Sequence, residues 1–321
     1  MLAPKLCVVI HAEEEFDWDQ GFYRKNTQVK HGKQLIVMIE TMLNAGAKVT
    51  LAMDYPFVTS FDGIEVINYF KGQQGENIEF ATHLHPWVNP PFDHERDNVT
   101  NYESFPGNLD EQSERNKLSL LTEAIEAQAG IRPVSYLAGR YGIGANTQAI
   151  LKELGYRIDL SISAYSNFSH IEGPNFTGFS NKIYRQAGLT YLPHTCSLIS
   201  ISRVVEDYLN RSPTAIAKTQ ENNAYSLLSK LLRIKKYRLS PEGFSFAHMK
   251  TLTEAQLRIG QQEFVLSFHS PSVIVGGTPY IDSAQSLIEF KNSLLAYIDW
   301  FCSLSNSSTF LPQSISNRHD G

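Results

Sequence analysis

Short apolar runs alternate along the chain with amphipathic segments of helical length. The apolar runs predict strands over residues 6–10, 48–53, 78–85, 134–139, 157–163 and 264–270. Apolar residues at helical spacing predict helices over 33–46, 111–130, 145–155 and 283–304, and the first three end at glycines that suit C-caps. Strand–helix alternation of this kind predicts an α/β fold with a parallel sheet, open or closed into a barrel.

The alternation is interrupted at residues 86–110, and the pattern is weak over residues 164–185 and 201–249. Residues 86–110 are proline-rich and have no periodicity, and a loop of that length is usually functional or disordered. Residues 223–239 predict a helix whose basic end we interpret as a solvated face. We expect a single domain over residues 1–304 and a flexible C-terminal tail over 305–321.

Composition and charge indicate an ordinary globular protein. The chain has 321 residues, of which 42% are hydrophobic and 19% charged, and its net charge is −5. The chain has no dense basic block, so we do not expect a nucleic-acid partner. The three cysteines are scattered without metal-binding or disulfide spacing, which is typical of a reducing compartment. We find neither a signal-peptide pattern nor an apolar run of the ~18 residues that a membrane span needs, so we expect a cytoplasmic protein.

Polar side chains of several chemical types follow the predicted strands. In parallel α/β folds ligands bind outside the carboxyl ends of the strands, so these positions predict a functional site. The residues at strand ends are His11, Glu13, Asp54, His83, His85, Arg140, Tyr141 and His269. No single one of them would carry the prediction, but their coincidence at many strand ends does.

The pair His83 and His85 is the sharpest signal among them. Residues i and i+2 of an extended chain share a face about 7 Å apart, so two imidazoles can converge on one cation. The alternative is a histidine pair that forms hydrogen bonds within a loop. The glutamate-rich end of the first strand, "HAEEEFDW", offers a carboxylate from Glu13 and favours the metal site. Glu14, Glu15 and Asp17 are then interpreted as supporting or solvated residues.

The remaining candidates each have two interpretations. His269 ends an apolar strand before Ser270 and is either a general acid or a buried core histidine. Arg140 supports an anionic group or pairs with a carboxylate. Trp18 and Trp87 follow charged strand ends and would suit stacking on a sugar ring, or are plain packing.

Several motifs, in order along residues 6–280, resemble the polysaccharide deacetylase family, also called the NodB-homology family or carbohydrate esterase family four. The similarity is to the subgroup labelled WalW-like. The motifs are "EEEFDW", "DYP", "HLHPWVNPPF", "FPGNL", "AGRYGIGANT", "LGYRIDLS" and "VLSFHSPSVIVGGTPY". Individually, only the histidine motif and the last one are specific.

This resemblance implies a fold and a chemistry. The fold would be a distorted (β/α) barrel of the NodB-like, glycoside hydrolase/deacetylase type. The activity would be metal-dependent hydrolysis of an acetyl amide, or an ester, on a sugar or polysaccharide precursor, with a divalent ion for which zinc is expected. The resemblance assigns the ion to Glu13, His83 and His85, the general acid to His269, and an auxiliary acid to Asp159. Residues expected near the substrate are Arg140, Tyr141, Trp87, Trp18 and Asp54.

Two positions depart from the family pattern. His11 stands where the family has the aspartate that acts as base, and Leu137 stands where it has the arginine that pairs with this aspartate. Both members of one ion pair are therefore absent. Their joint loss is physically consistent, because an arginine left without its carboxylate partner would be costly to bury. His11 would be a replacement base, an added metal ligand, or a sign that the protein is a carbohydrate-binding relative with impaired catalysis.

Overall fold

The fold is organised around a mostly parallel sheet, in a computed structural model that describes residues 3–18, 20–92, 95–214 and 229–315. The strands of the described chain are β1 (Lys5–Ala12), β2 (Val49–Met53), β3 (Ile78–Leu84), β4 (Ser135–Ala138), β5 (Ile158–Asp159), β6 (Tyr184–Gln186), β7 (Leu189–Tyr191), β8 (Cys196–Ile199), β9 (Lys235–Arg238), β10 (Glu263–His269) and β11 (Ser308–Thr309). Nine of them form the main sheet in the order β10-β1-β2-β3-β4-β5-β7-β6, with β11 beside β1, and β8 and β9 form a separate pair.

Helices connect these strands and cover the sheet. They are α1 (Gly32–Asn44), α2 (Tyr55–Thr59), α3 (Phe61–Phe70), α4 (Glu111–Ala129), α5 (Thr147–Glu153), α6 (Arg203–Arg211), α7 (Phe246–Arg258) and α8 (Ala284–Cys302). Helix α4 begins after Asp110, whose side chain accepts a hydrogen bond from the amide of Ser113, and ends at Gly130 with a φ of 73°. In the described ranges no helix is both long and apolar enough to cross a membrane.

The sheet curls towards a barrel, and a short segment joins its two sides. The amide of His194 donates to the carbonyl of Ile162 over 2.8 Å, and the amide of Thr195 donates to the carbonyl of Val265 in β10 over 3.3 Å. Residues 194–195 thereby join the chain after β5 to β10. The central strands β1, β2 and β3 are buried along almost their whole length, as parallel strands covered on both faces are.

All six predicted strands are present as β1 to β5 and β10, and the four predicted helices are present as α1, α4, α5 and α8. The helix predicted over 223–239 is wrong at its basic end. Lys235–Arg238 forms strand β9, which pairs antiparallel with β8, and residues 223–228 lie outside the described residues. The local pattern could not show this, because the strand depends on a partner some forty residues earlier in the chain.

The predicted boundary at residue 304 also needs correction. Ser308 and Thr309 pair with Lys5 and Leu6 of β1, and the following Phe310 and Leu311 are buried. Gln313 donates its amide proton to the buried carboxylate of Glu79 over 2.9 Å. Residues 308–315 therefore pack on the sheet, and the rest of the predicted tail, 316–321, lies outside the described residues.

Candidate active site

A cavity of about 620 Å³ opens at the carboxyl ends of the central strands. His11 and Glu13 reach it from the end of β1, His83 and His85 from the end of β3, and His269 from the end of β10. The volume lies within the range of about 300–1,000 Å³ that is typical of small-molecule sites. The structure thus brings together the five polar residues on which the sequence prediction depended most.

Strand register explains this convergence. His11 pairs with His269 on one side and with Ala52 on the other, and Ala52 pairs with Ala81. Paired residues of a sheet point to the same face, and so does the residue two positions further along a strand. His83 follows Ala81 by two, and therefore shares a face with His11 and His269.

The Glu13 carboxylate faces both histidines of the HxH motif. Its Oε2 lies 3.3 Å from Nε2 of His83 and 3.5 Å from Nε2 of His85. The other nitrogen of each ring is already engaged: Nδ1 of His83 lies 3.0 Å from the carbonyl oxygen of Leu137, and Nδ1 of His85 lies 2.9 Å from Oε2 of Glu14. Because a carbonyl only accepts, Nδ1 of His83 carries the proton. Ionised Glu14 likewise accepts from Nδ1 of His85, and in that state both Nε2 atoms present a lone pair.

This donor set fits a divalent metal ion. Burial lowers the pKa of His83 and of His85, which favours the neutral, ligating rings. Burial alone would raise the pKa of Glu13, but the positive charge of His269 lowers that pKa, so the carboxylate stays ionised. Two ligand atoms at ~2.05 Å from a tetrahedral ion would be about 3.3 Å apart, which is close to the separations observed.

A second buried acidic group stands behind His85. Glu14 accepts hydrogen bonds from Nδ1 of His85 and, over 2.8 Å, from Nε1 of Trp87, while Asp54 Oδ2 lies 3.6 Å from the same His85 nitrogen. Burial and the neighbouring Glu13 raise the pKa of Glu14 to about 7, and burial with Glu14 raises that of Asp54. Glu14, Asp54 and His85 also lie close enough to hold a cation. Of the two acidic groups, Glu13 lines the cavity, whereas Glu14 and Asp54 are fully buried and do not line it.

The backbone of Glu13 is held by Ser270, which in turn contacts His31, and neither residue was selected from the sequence as a site residue. The amide of Glu13 donates to Oγ of Ser270 over 3.1 Å, and Nε2 of His31 lies 2.8 Å from the same hydroxyl. Nδ1 of His31 lies 3.3 Å from Glu15. This chain of contacts ties the end of β1 to the turn after β10 and fixes the direction in which Glu13 points.

His269 is oriented by Glu242 and not by Asp159. Nδ1 of His269 lies 2.8 Å from Oε2 of Glu242, whose Oε1 accepts from the amide of His269 over 3.0 Å and from the hydroxyl of Ser272. Burial alone would lower the pKa of His269, but Glu242 and Glu13 raise it to about 9.

The auxiliary role predicted for Asp159 is therefore corrected. Asp159 pairs with Tyr136, which pairs with Thr82, so its side chain lies on the face of the sheet opposite to His83. There it accepts from the amide of Ser161 over 2.7 Å, and burial raises its pKa to about 6.

His11 lies at the centre of a histidine cluster. Its ring centroid lies 4.8 Å from that of His269, 5.0 Å from that of His83 and 5.6 Å from that of His194, a fourth histidine that the sequence analysis did not select. Burial, followed by His269 and His83, lowers the pKa of His11 well below its ordinary value. Its Nε2 is buried without a hydrogen-bond partner among the described residues. One nitrogen of the His11 ring lies within 4.8 Å of ligand atoms of Glu13 and His83.

Arg140 and Tyr141 occupy a tight turn directly after β4. Both have positive φ, 55° and 60°, which is uncommon for residues other than glycine and is often found at functional sites. Burial lowers the pKa of Arg140 to about 10, so it is charged at neutral pH. Arg238 of β9 also lines the cavity, although the sequence suggested a solvated position for it.

The other predicted substrate contacts divide into two groups. Trp18 is 44% exposed at the cavity, and its ring centroid lies 6.4 Å from that of Tyr280, which is 42% exposed. Trp87 is only 2% exposed and stacks on His85 at 4.2 Å, which makes it a support for that ring. Asp54 is fully buried, accepts from the amide of Phe57 at the start of α2, and cannot contact a substrate as predicted.

Solved structures share this architecture over the length of the chain. A candidate polysaccharide deacetylase from Mycobacterium smegmatis has a TM-score of 0.52 at 16% identity, covering 98% of this chain and 90% of its own. Another from Pseudomonas aeruginosa PAO1 has a TM-score of 0.53 at 12% identity, with 98% and 90% covered. The chain has the NodB-like deacetylase fold. The predicted distorted α/β barrel is thereby confirmed.

The same fold also occurs outside the polysaccharide deacetylases. PuuE allantoinase has a TM-score of 0.52 at 12% identity, covering 98% of this chain and 89% of its own. No protein-family profile and no curated protein sequence matches the chain. At these identities the likeness establishes the fold alone, so the chemistry has to be argued from the side chains, and the WalW-like subgroup stays a prediction.

Proposed function

We propose that the protein is a metal-dependent hydrolase that removes an acetyl group from a sugar, with zinc as the expected ion. The observation that carries this proposal is that Oε2 of Glu13 lies 3.3 Å from Nε2 of His83 and 3.5 Å from Nε2 of His85 where all three residues line the cavity. The polysaccharide deacetylases with this fold support the choice of substrate. The exposed faces of Trp18 and Tyr280 suit stacking on a sugar ring.

Glu13, His83 and His85 would hold the ion, which supplies Lewis acidity for the acetyl carbonyl and for a water. Ionised Glu14 accepts a hydrogen bond from Nδ1 of His85, and so keeps Nε2 of that ring directed towards Glu13. Protonated His269 faces the same cavity and would give its Nε2 proton to the departing amine or alkoxide. Glu242 positions this ring through Nδ1.

His11 takes the place of the usual base, and its environment favours a neutral ring. A general base works best with a pKa near the working pH, whereas burial and the histidines around His11 lower its pKa well below that range. A neutral imidazole with an unpaired Nε2 is instead suited to binding the ion or a polar group of the substrate. We therefore propose His11 as an added nitrogen ligand beside Glu13 and His83.

A second function is supported by the same position. His11 leaves the site without a carboxylate base, and Leu137, in place of the family's arginine, is fully buried. Loss of a general base costs about 10²–10⁴ in rate, so a carbohydrate-binding protein with impaired catalysis is the alternative. Such a protein would bind acetylated sugars without releasing acetate.

Acetate release from a panel of N- and O-acetylated sugars separates the two functions. The deacetylase predicts release that stops with chelator and in His83→Ala, and that persists in His170→Ala, in which an exposed histidine outside the cluster is removed. Absence of release from every substrate, together with measurable sugar binding, would favour the binding protein. In that case the double variant His11→Asp/Leu137→Arg should gain activity if the missing base is limiting.

A further inference from the structure

The cavity contains two arginines that the proposed hydrolysis does not use. Arg140 follows β4, Arg238 ends β9, and both line the cavity. Among the described residues, neither guanidinium has a carboxylate oxygen within 4.0 Å. A partly buried charge without a counter-charge is costly, so such a group in a cleft often serves a ligand.

Arg140 is fixed in place by neutral groups. Its Nη1 donates to Oδ1 of Asn101 over 2.9 Å and to the hydroxyl of Ser104. Its guanidinium carbon lies 4.6 Å from the ring centroid of Phe22 and 4.0 Å from that of Phe105. These contacts orient the planar group while leaving its charge uncompensated, which is the arrangement of a preorganised binding group.

Arg238 is held by the part of the chain that joins the barrel. It pairs with Cys196 of β8, and the amide of the next residue, Leu239, donates to the carbonyl of Thr195 over 2.9 Å. Its guanidinium carbon lies 5.5 Å from the ring centroid of Tyr141, the residue that follows Arg140. The two arginines therefore approach one cavity from different elements.

The charge of the cavity is opposite to that of the whole protein. The chain carries a net charge of −5, yet Glu13 is the one acidic residue among the described residues that line the cavity. A cleft lined by one sign of charge focuses the field and attracts ligands of the other sign. The guanidinium fork matches carboxylate and phosphate oxygens in particular.

We infer that this cavity binds a sugar that carries an acidic group, a carboxylate or a phosphate, and that Arg140 and Arg238 recognise that group. The sugar and its acetyl group rest on the proposed function, whereas the acidic group rests on the two arginines alone. Recognition by two charge-assisted contacts would distinguish this substrate from a neutral acetylated sugar.

Titration calorimetry on the metal-loaded protein tests this inference. The probes are N-acetylglucosamine, its 6-phosphate, and N-acetylmuramic acid, which present no acid, a phosphate and a carboxylate. We expect at least one acidic probe to bind about tenfold more tightly than the neutral one. Arg140→Gln and Arg238→Gln should each lower the affinity for that acidic probe about tenfold and leave the affinity for the neutral probe unchanged. Arg238→Lys should recover part of the lost affinity. The comparison of the two acidic probes identifies the anion.

Arg203→Gln is the matched control, because it removes one positive charge from an exposed arginine at the start of α6, outside the cavity. Equal binding of neutral and acidic probes would overturn the inference. A preference for the acidic probe that survives in the variant lacking both arginines would also overturn it. A preference that disappears in chelator-treated protein would do the same, because the anion would then bind the metal ion. Thermal melting confirms that each variant is folded. If no acetate is released but the acidic probe still binds more tightly and this depends on the arginines, the proposed hydrolase activity is wrong and this inference stands.

Discussion

The contact between Glu242 and His269 gives a prediction that needs no substrate. Glu242 is buried and accepts three hydrogen bonds, two of them from His269 and one from Ser272. In Glu242→Gln the amide oxygen can still accept from the His269 backbone and from Ser272, which places the amide NH2 against Nδ1. That nitrogen must then accept, so His269 is forced into the neutral tautomer protonated at Nε2.

The expected size follows from the pKa of His269. Burial lowers it, but Glu242 and Glu13 raise it from 6.5 to about 9, and this difference of about 2.5 pKa units at 1.36 kcal/mol each is about 3 kcal/mol. Glu242 makes the larger contribution to this rise, so its removal should return the pKa of His269 towards 6.5. At pH 7.5 a pKa of about 9 leaves His269 about 97% protonated, and a pKa of about 6.5 leaves it about 9% protonated.

Histidine-detected NMR titration is the appropriate assay. The His269 signals are assigned by their loss in His269→Gln, and the wild type and Glu242→Gln are titrated metal-free, so that the charge of a bound ion does not enter the comparison. Asp159→Asn is the matched control, because this residue lies on the opposite face of the sheet and should leave the His269 pKa unchanged. A His269 pKa in Glu242→Gln within half a unit of the wild-type value would refute the assignment of Glu242 as its positioning residue.

Three further predictions concern metal affinity and stability. Glu14→Gln should weaken metal binding about 10–100-fold in a chelator-competition titration. Both carboxylate oxygens of Glu14 accept hydrogen bonds, and the single oxygen of a glutamine amide would leave either His85 or the indole of Trp87 without its acceptor. Unchanged metal affinity would contradict this prediction. Burial raises the pKa of Glu79 from 4.5 to about 7, so the native state holds a proton that the unfolded state releases, and wild-type stability should fall as pH rises between these values. In Glu79→Gln the free energy of unfolding should not show this fall, and at pH 8 the loss measured for the wild type by urea unfolding should be up to about 3 kcal/mol larger than that of the variant. If the unfolding free energies of wild type and variant change with pH in parallel, Glu79 is not a buried acid. Phe310→Ala should cost about 3 kcal/mol or more, against less than about 0.5 kcal/mol for Phe61→Ala, whose ring is 74% exposed; equal costs would show that residues 308–315 do not pack as described.

The sequence predicted the central strands and the residues at their ends because both depend on local patterns. An apolar run followed by "HAEEE" or "HLHP" places polar groups at a strand end whatever the rest of the chain does, and parallel strands bring those ends to one edge. His11, Glu13, His83 and His269 were found in this way, and the structure brings them to one cavity.

Residues that depend on register or on weakly patterned segments could not be predicted. Asp159 has the right residue type, but its pairing with Tyr136 turns it to the other face, and a shift of one residue in register would reverse that. Glu242, Arg238 and His194 come from segments whose positions are set by pairing with distant strands. The charge of a residue alone did not show whether it faces solvent or the cavity.

Metal stoichiometry tests the central claim most directly. Protein purified without chelator is reconstituted with zinc, freed of excess, and analysed by elemental mass spectrometry beside His83→Ala and His170→Ala. If Glu13, His83 and His85 form the site, the wild type and His170→Ala should each retain one equivalent, and His83→Ala should retain little, because it lacks a ligand that lies next to Glu13. Wild-type protein that retains no ion, or His83→Ala that retains a full equivalent, would contradict the assignment.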